Sequence, residues 1–385
     1  MANHMIIRNG LLFGTDCDFT KADLAFVNGI ITNIAPSGSL TGDGFDAEGA
    51  YVLPGLVDIH THGCVNGDLC DADSAGLEKM LAYYGGSGVT SVVLASMSYG
   101  EEALTGIIHA AAPYFGRKGY GAVLRGVNME GTFINPDRCG AHNPANTTAP
   151  DIKMFDRLYA VSGENIRILG IAPELPGSLE LIRHAAKRCT VSLAHTDADY
   201  DTAAAAFNAG ARHLTHMFNA MPPFGHRAPG VIGAAFDHAA YVEIISDGVH
   251  LHPSVVRAMF SMFGAPRICL VSDSIRGAGM PDGRYELGGQ AVIVKGGRSN
   301  LATGGAIAGS AVNLADCVRN AVKFGIPLKD AVRAATQNPA CASSIDSVAG
   351  SLEPGKSADI LIWDSDLRAI AVFAGGEQVE IMRSR

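Results

Sequence analysis

The sequence predicts a parallel (β/α)8 barrel of the TIM type, with a small β-sandwich domain built from both termini. Three observations predict this fold class: short apolar runs alternate with helix-like segments through the middle of the chain, the connections between them are a few residues long, and both ends are rich in β-like segments. Eight strand–helix repeats of this kind favour a closed barrel over an open sheet. The predicted boundaries are 1–53 and 346–385 for the small domain and 54–345 for the barrel.

Length and composition limit the class of protein. A chain of 385 residues with 48% hydrophobic and 17% charged residues suits a large globular domain plus a smaller one, and excludes disorder. The net charge of −9 disfavours nucleic acid or an anionic membrane as partner, so an anionic substrate would need a local basic cluster. No membrane span or signal peptide is predicted, and eight cysteines without a CxxC pair are typical of reduced thiols in a cytoplasmic protein.

The terminal segments carry the strand signals of the small domain. Apolar β-like runs occupy 5–8, 24–27 and 30–34, and Asn28-Gly29 between the last two predicts a hairpin. Similar runs return at 359–363, 370–373 and 378–381.

The middle of the chain carries the predicted barrel elements. The strands are expected at 56–59, 90–94, 124–129, 166–171, 190–194, 213–215, 241–245 and 268–271. Helices are expected between them, for example at 74–84, 101–114, 178–188 with Ser178 as the cap, and 310–324.

The segment PGLVDIHTHG (54–63) places two histidines at the end of the first barrel strand. Because side chains alternate along a strand, His60 and His62 project to the same side, as two ligands of one metal ion must. The alternative is a strand end whose histidines are only hydrogen-bonded.

Further polar side chains follow the later strands, where a barrel collects its working residues. They are Glu130, His195, His216 and Asp273. Each alone has a simple explanation as a cap, a salt bridge or a hydrogen-bonded histidine, but together they form a costly polar cluster unless a metal satisfies it.

Imidazole and carboxylate ligands without thiolate suit Zn²⁺, Fe²⁺, Mn²⁺ or Co²⁺. One ion could be held by His60, His62 and Asp273. A second could be held by His195 and His216, with Glu130 between the two sets. Such an ion activates water and polarises a carbonyl, which is the chemistry of amide hydrolysis, and Asp273 is placed to act as general base and then general acid.

Local motifs narrow the prediction. They are PGLVDIHTHG (54–63), MEGTFINPDRCGAHNP (129–144), LAHTDADYD (193–201), LTHMFNAMPPFGHRAPG (214–230), ISDGVHLHP (245–253), LVSDSI (270–275), IAGS (307–310) and GSLEPGKSADILIWD (350–364). A barrel with this rim resembles the amidohydrolase superfamily, and the motifs in this order resemble the N-acetylglucosamine-6-phosphate deacetylases over nearly the whole chain.

The resemblance implies roles for the rim residues. Glu130, His195 and His216 match the metal ligands of all members. His60 and His62 match the extra pair of members with two ions. Asp273 matches the catalytic acid/base.

The resemblance also implies substrate contacts. His142 matches the residue that hydrogen-bonds the substrate and helps to polarise the acetyl carbonyl. Asn219 and Ala220 match positions that contact the sugar phosphate. Arg227 and His250 match a basic phosphate pair supplied by the neighbouring subunit, which implies a homodimer.

The sequence departs from the family pattern at three positions near the predicted site. Thr132 stands where proline is usual, which is expected to loosen the loop that holds Glu130. Ser272 and Ser274 flank Asp273 in place of threonine and alanine.

The implied activity is hydrolysis of N-acetyl-D-glucosamine 6-phosphate to D-glucosamine 6-phosphate and acetate. The alternatives are another amidohydrolase, acting on a cyclic amide or an N-acyl amino acid, and a non-catalytic scaffold. The number and identity of the ions, the sugar epimer and the catabolic or wall-recycling role stay open at this stage.

Overall fold

The computed structural model describes residues 4–382, in which strands and helices alternate through the middle of the chain. The strands are β1 (His4–Phe13), β2 (Phe19–Val27), β3 (Ile30–Pro36), β4 (Gly44–Asp46), β5 (Tyr51–Pro54), β6 (Leu56–Thr61), β7 (Gly63–Cys64), β8 (Gly67–Asp68), β9 (Val89–Ala95), β10 (Val123–Met129), β11 (Ile166–Ile171), β12 (Thr190–Leu193), β13 (His213–Leu214), β14 (Tyr241–Ile244), β15 (Ile268–Leu270), β16 (Gly283–Leu287), β17 (Gln290–Lys295), β18 (Arg298–Leu301), β19 (Ile360–Trp363), β20 (Ala369–Ala374) and β21 (Glu377–Gln378). The α-helices are α1 (Ser74–Gly86), α2 (Glu101–Ala111), α3 (Ile152–Val161), α4 (Ser178–Ala185), α5 (Tyr200–Ala209), α6 (Gly230–Asp237), α7 (Pro253–Phe263), α8 (Leu314–Lys323), α9 (Leu328–Ala334) and α10 (Gln337–Ala342).

Eight parallel strands form the barrel, in the order β6-β9-β10-β11-β12-β13-β14-β15. Their residues are almost all buried, because helices cover the outer face and side chains fill the interior. Each strand lies where an apolar run predicts it, within one or two residues at either end. The predicted fold class is confirmed.

The first and last barrel strands meet through individual hydrogen bonds rather than a regular ladder in the described chain. The Asp273 amide donates to the carbonyl of His60 at 2.9 Å, and the His62 amide donates to the carbonyl of Ser274 at 2.8 Å. Below them, the Ser272 hydroxyl donates to the Asp58 carboxylate at 2.6 Å. Closure of the barrel therefore brings Asp273 beside the two histidines of the first strand.

Both chain ends contribute to a second eight-stranded sheet, in the order β21-β20-β19-β5-β1-β2-β3, with β4 also paired to β1. The predicted Asn28-Gly29 hairpin joins β2 and β3, and both turn residues have positive φ (50° and 76°). An apolar core that includes Leu24, Phe26 and Phe373 lies within this sheet. Other side chains of the sheet, including Trp363, pack instead on the barrel core.

Two helix starts differ from the sequence-based expectation. Ser178 does not cap α4, because Gly177 occupies the N-cap and the Ser178 hydroxyl donates to the carbonyl of Ala172 at 2.7 Å. The helix expected from residue 310 begins at Leu314, where Asn313 caps it. Ser310 lies outside the helix because its amide donates to the carbonyl of Asp273 at 2.7 Å.

A three-stranded antiparallel sheet of β16, β17 and β18 follows the last barrel strand and was not predicted. Gly288-Gly289 and Gly296-Gly297, all at positive φ, form its two turns. Two Gly-Gly turns between alternating apolar residues were the available signal.

The predicted division at 53/54 and 345/346 stays a prediction. Its terminal ranges include residues 1–3 and 383–385, which lie outside the described residues. None of the helices in residues 4–382 combines the length and apolar character that a bilayer crossing requires.

Candidate active site

Six polar side chains converge where the barrel strands end. They form two groups whose ligand atoms lie within 4.8 Å of one another in each group. The seam group is His60, His62 and Asp273, from the first and last strands, and the strand-end group is Glu130, His195 and His216. All six are at most 7% exposed. The structure thus brings together all six predicted ligands.

Glu130, a member of the strand-end group, also contacts the histidines of the seam group. Its Oε1 atom is 3.1 Å from His195 Nε2 and 3.0 Å from His216 Nε2. Its Oε2 atom is 3.2 Å from His60 Nε2 and 3.0 Å from His62 Nε2. One carboxylate therefore faces four imidazoles, two through each oxygen.

The hydrogen bonds on the far side of the rings test whether a cation fits here. His195 Nδ1 is 2.9 Å from the carbonyl oxygen of Arg138, which can only accept, so Nδ1 carries the proton. The Nε2 lone pair of a neutral His195 then faces Glu130 Oε1, another acceptor. His60 Nε2 and Glu130 Oε2 are buried without a hydrogen-bond partner. A divalent cation between these atoms would satisfy the facing lone pairs, so the residues fit a metal ion.

The charges of the cluster shift its pKa values in opposite directions. Burial alone would lower the pKa of His62, but hydrogen bonds and charge from Asp273 and Glu130 outweigh it and raise the pKa to about 10. Burial would raise the pKa of Asp273, but the hydrogen bond from His62 and the charges of His60 and His62 lower it. Without a metal, the seam group therefore pairs a protonated His62 with an ionised Asp273.

Several rim residues have left-handed backbone conformations that L-residues rarely adopt. The φ angles are 45° at His195, 24° at His216, 49° at Asp273 and 57° at Thr132. Each such residue costs of order 1–3 kcal/mol, and residues of this kind cluster at functional sites. At Thr132 hydrogen bonds compensate, since its hydroxyl donates to the carbonyl of Tyr99 at 2.8 Å. Thr132 thus ties the Glu130 loop, contrary to the expected loosening.

His142 lies beside this cluster in one defined tautomer. The backbone amide of Ser98 donates to His142 Nδ1 at 3.0 Å, so Nδ1 is an acceptor and the proton is on Nε2. Burial lowers the pKa of His142 to about 4, which keeps the ring neutral. The Nε2–H lies 3.7 Å from Glu130 Oε2, at the metal cluster.

A cavity of about 410 Å³ opens above the six ligands. His142, Asn219, Ala220 and His250 line it, all from the same chain. The His250 side chain is 4% exposed and its Nδ1 is 2.8 Å from Asp247 Oδ2. Within one chain, His250 therefore lies in the same cavity as the rim residues, and its contribution to a neighbouring subunit stays a prediction.

Arg227 lies apart from this cavity. It is exposed and lines a separate cavity of about 530 Å³ with Asp197, Asp199 and Asp201. Its Nη1 atom is 2.6 Å from His226 Nε2. The structure of one chain therefore does not bring Arg227 to the six ligands.

Sequence reasoning missed several residues that support the site. Glu243 contacts His60, Asp58 accepts from Ser272, and the Gln290 amide donates to the carbonyl of Ala141 at 2.6 Å, next to His142. A signal existed for the first two, since a carboxylate inside an otherwise apolar barrel strand needs a partner. No local signal existed for Gln290.

A (β/α)8 barrel with this set of rim histidines and carboxylates defines a class of metal-dependent hydrolases. A sequence profile of the amidohydrolase family matches residues 51–381, and the chain belongs to that family. It is 35% identical to the N-acetylglucosamine-6-phosphate deacetylase of Bacillus subtilis (85% of this chain, 84% of the relative) and 34% identical to the N-acetylgalactosamine-6-phosphate deacetylase of Escherichia coli O157:H7 (92% and 93%). A mutant N-acetyl-D-glucosamine-6-phosphate deacetylase from Mycobacterium smegmatis, solved with N-acetyl-D-glucosamine-6-phosphate, is similar in structure, with a TM-score of 0.92, 31% identity and coverage of 98% of this chain and 100% of that chain.

Proposed function

We propose that this protein is a metal-dependent deacetylase that hydrolyses N-acetyl-D-glucosamine 6-phosphate to D-glucosamine 6-phosphate and acetate. The observation that carries the proposal is the bridge of Glu130 between two histidine groups below a cavity that also contains His142. The relatives named above act, by their names, on N-acetylated hexosamine 6-phosphates.

The metal would be held by the two ligand groups, as one or two ions per subunit. His60, His62 and Asp273 would hold one ion and His195 and His216 the other, with Glu130 shared. Zn²⁺ and Fe²⁺ suit this donor set best, and Mn²⁺ and Co²⁺ are further candidates. A divalent cation here supplies Lewis-acid polarisation of the acetyl carbonyl and lowers the pKa of water.

His142 binds and polarises the acetyl carbonyl. Its neutral ring has only a donor, Nε2–H, on the side of the cluster, because Nδ1 accepts from Ser98. A fixed donor in a buried site costs no reorganisation when negative charge develops on the carbonyl oxygen.

Asp273 acts as general base and then as general acid. Its carboxylate lies at the cavity beside the seam histidines and accepts the proton of the attacking water. It then delivers that proton to the leaving nitrogen.

The remaining cavity residues orient the sugar. Asn219 and Ala220 would contact the sugar phosphate, and His250, in its own subunit's cavity, would add a further hydrogen bond. Arg227 would reach the phosphate in the neighbouring subunit of a homodimer, which its exposed position permits. A guanidinium binds phosphate with charge-assisted hydrogen bonds, so this acidic protein can hold an anion locally.

The cysteines are consistent with a cytoplasmic protein. All eight are unpaired, which suits the reducing conditions of the cytoplasm.

The direct test is acetate release from N-acetylglucosamine 6-phosphate by metal-free protein reloaded separately with Zn²⁺, Fe²⁺, Mn²⁺ or Co²⁺. The galactosamine and mannosamine epimers tested alongside define the sugar preference, and unphosphorylated N-acetylglucosamine is the control. Absence of turnover of all three phosphosugars with every metal would overturn the proposal.

Arg227→Ala separates this function from hydrolysis of a cyclic amide or an N-acyl amino acid. Loss of a charge-assisted hydrogen bond costs about 1.5–3 kcal/mol, so KM for the phosphosugar should rise roughly 10- to 100-fold. Arg183→Ala, at an exposed arginine on α4, is the matched control. An unchanged KM for the phosphosugar would remove Arg227 from the phosphate site.

A further inference from the structure

Glu243 is a buried carboxylate that the proposed mechanism does not use. It is the third residue of β14, which reads Tyr-Val-Glu-Ile, and it is 0% exposed. A buried carboxylate is costly unless hydrogen bonds compensate it, so its partners indicate what it does.

One oxygen of Glu243 contacts both ligand groups. Its Oε2 atom is 2.7 Å from His60 Nδ1, in the seam group. The same atom accepts the backbone amide of His216, in the strand-end group, at 2.9 Å. Glu243 therefore lies behind the cluster, on the side away from the cavity that His62 and Asp273 line.

The hydrogen bond between Glu243 and His60 determines which nitrogen of the His60 ring carries the free lone pair. An ionised carboxylate can only accept, so the proton of a neutral His60 ring is on Nδ1 and the lone pair is on Nε2. His60 Nε2 is 3.2 Å from Glu130 Oε2 and 3.6 Å from Asp273 Oδ1. The lone pair thus points to the space between two carboxylates.

The hydrogen bond from the His216 amide to Glu243 stabilises a strained backbone conformation at His216. His216 has φ of 24°, outside the usual regions for an L-residue. Its amide hydrogen bond to Glu243 is one of the interactions that keep this conformation, in which His216 Nε2 lies 3.0 Å from Glu130 Oε1.

We propose that Glu243 is a positioning residue for the metal centre: it presents the Nε2 lone pair of His60 to a divalent cation and holds the backbone from which His216 binds. This inference rests on the metal-dependent function proposed above. In this role Glu243 contacts no substrate, and it links the two ligand groups on the side away from the cavity.

Glu243→Gln isolates the charge of this carboxylate. The amide oxygen can accept both hydrogen bonds now made by Oε2. The amide nitrogen would take the place of Oε1, which is buried without a hydrogen-bond partner in the described residues and lies 3.8 Å from His213 Nδ1. Glu243→Leu removes both hydrogen bonds and is the second variant.

The control is Asp359→Asn, at a carboxylate that is also buried (3% exposed) and paired, with Arg125 Nη2 at 2.9 Å. Asp359 lies just before β19 in the terminal sheet and touches no rim residue. Loss of the Asp359 charge should lower the free energy of unfolding without changing metal affinity.

The experiment is a competition titration of each metal-free protein with Zn²⁺ against a chromophoric chelator, with thermal unfolding of the metal-free proteins in parallel. Loss of a carboxylate behind a histidine ligand typically costs about 10- to 100-fold in metal affinity, so Glu243→Gln should weaken the ion at His60 by that factor. Glu243→Leu should weaken all bound ions. Asp359→Asn should titrate like the wild type.

The outcomes distinguish this inference from the proposed function. Wild-type affinity and stoichiometry in both Glu243 variants would overturn the inference and leave the function standing. A drop in metal affinity that matches the drop caused by Asp359→Asn would also overturn it, because the effect would then be general destabilisation. A wild-type protein that binds none of the metals would overturn both.

Discussion

The seam group and the strand-end group contain similar side chains but are built differently. His60 lies on β6 and His62 follows directly after its end, and only Asp273 in the seam group has a left-handed backbone. In the strand-end group, His195 and His216 both have positive φ and each belongs to a different strand. The two histidines of the seam group are placed by the alternation of side chains along a strand. The two histidines of the strand-end group are placed by left-handed backbone just after the strands end.

This difference shows two ways in which a barrel can position the side chains of a metal centre. Strand alternation alone places two imidazoles on one side. The strand-end group needs strain of order 1–3 kcal/mol at each turned residue, which the surrounding hydrogen bonds must offset. Glu130 contacts the histidines of both groups. Substitutions at Glu130 and in the seam group therefore test this comparison.

The largest effect is expected from Glu130→Gln. Only one of the two amide atoms is an acceptor, so the amide nitrogen must face either the His60–His62 pair or the His195–His216 pair. Elemental analysis should find less than one ion per chain, and acetate release should fall to background. A variant that keeps full metal content would show that the two groups do not depend on their shared carboxylate.

A smaller effect is expected from Asp273→Asn, which keeps an oxygen ligand but removes the base. Loss of general acid–base catalysis should lower kcat by roughly 10²- to 10⁴-fold. Metal analysis should show the ion still bound. Wild-type turnover in this variant would mean that the seam group serves only to hold metal.

The smallest effect concerns the pH dependence of the metal-free protein. The folded-state pKa of His62 is raised to about 10, above its unfolded value of about 6.5. The stabilisation is therefore complete below about pH 6.5 and is lost as the pH rises toward 10, because the proton that pairs with the carboxylates leaves. The melting temperature of chelator-treated protein should fall over this range.

His62→Asn is the control for that pH profile, since it lacks the titrating ring. Its melting temperature should change less between pH 6.5 and 10 than that of the metal-free wild type. Parallel profiles for the two proteins would show that the empty seam group is not charged.

The parts that the sequence predicted are those that depend on local pattern. The eight barrel strands follow from apolar runs, and the His60–His62 pair follows from alternation along β6. The members of the strand-end group were found because each follows a strand directly. The left-handed backbone that orients them was not visible, because only a small fraction of histidines adopt positive φ.

The parts that the sequence could not predict depend on contacts between distant segments. Helix α8 begins late because Ser310 pairs with Asp273, and no local feature of 310–313 shows this. The contact of His250 with Asp247, which holds the ring at the cavity, was not visible in the sequence, and the role of His250 towards a neighbouring subunit stays a prediction. Glu243 carried a local signal, an acid within an apolar strand, but its partners His60 and His216 lie 183 and 27 positions away in the chain.

The two groups also differ in the length of chain that must close to form them. Thr61 and Ser274, which flank the seam ligands, hydrogen-bond at 2.7 Å across 213 positions of the chain, whereas His195 and His216 are 21 positions apart. Contacts between distant positions carry the larger loop-closure cost. The loop that brings His195 and His216 together is short, whereas the seam group forms only where the first and last strands of the barrel meet.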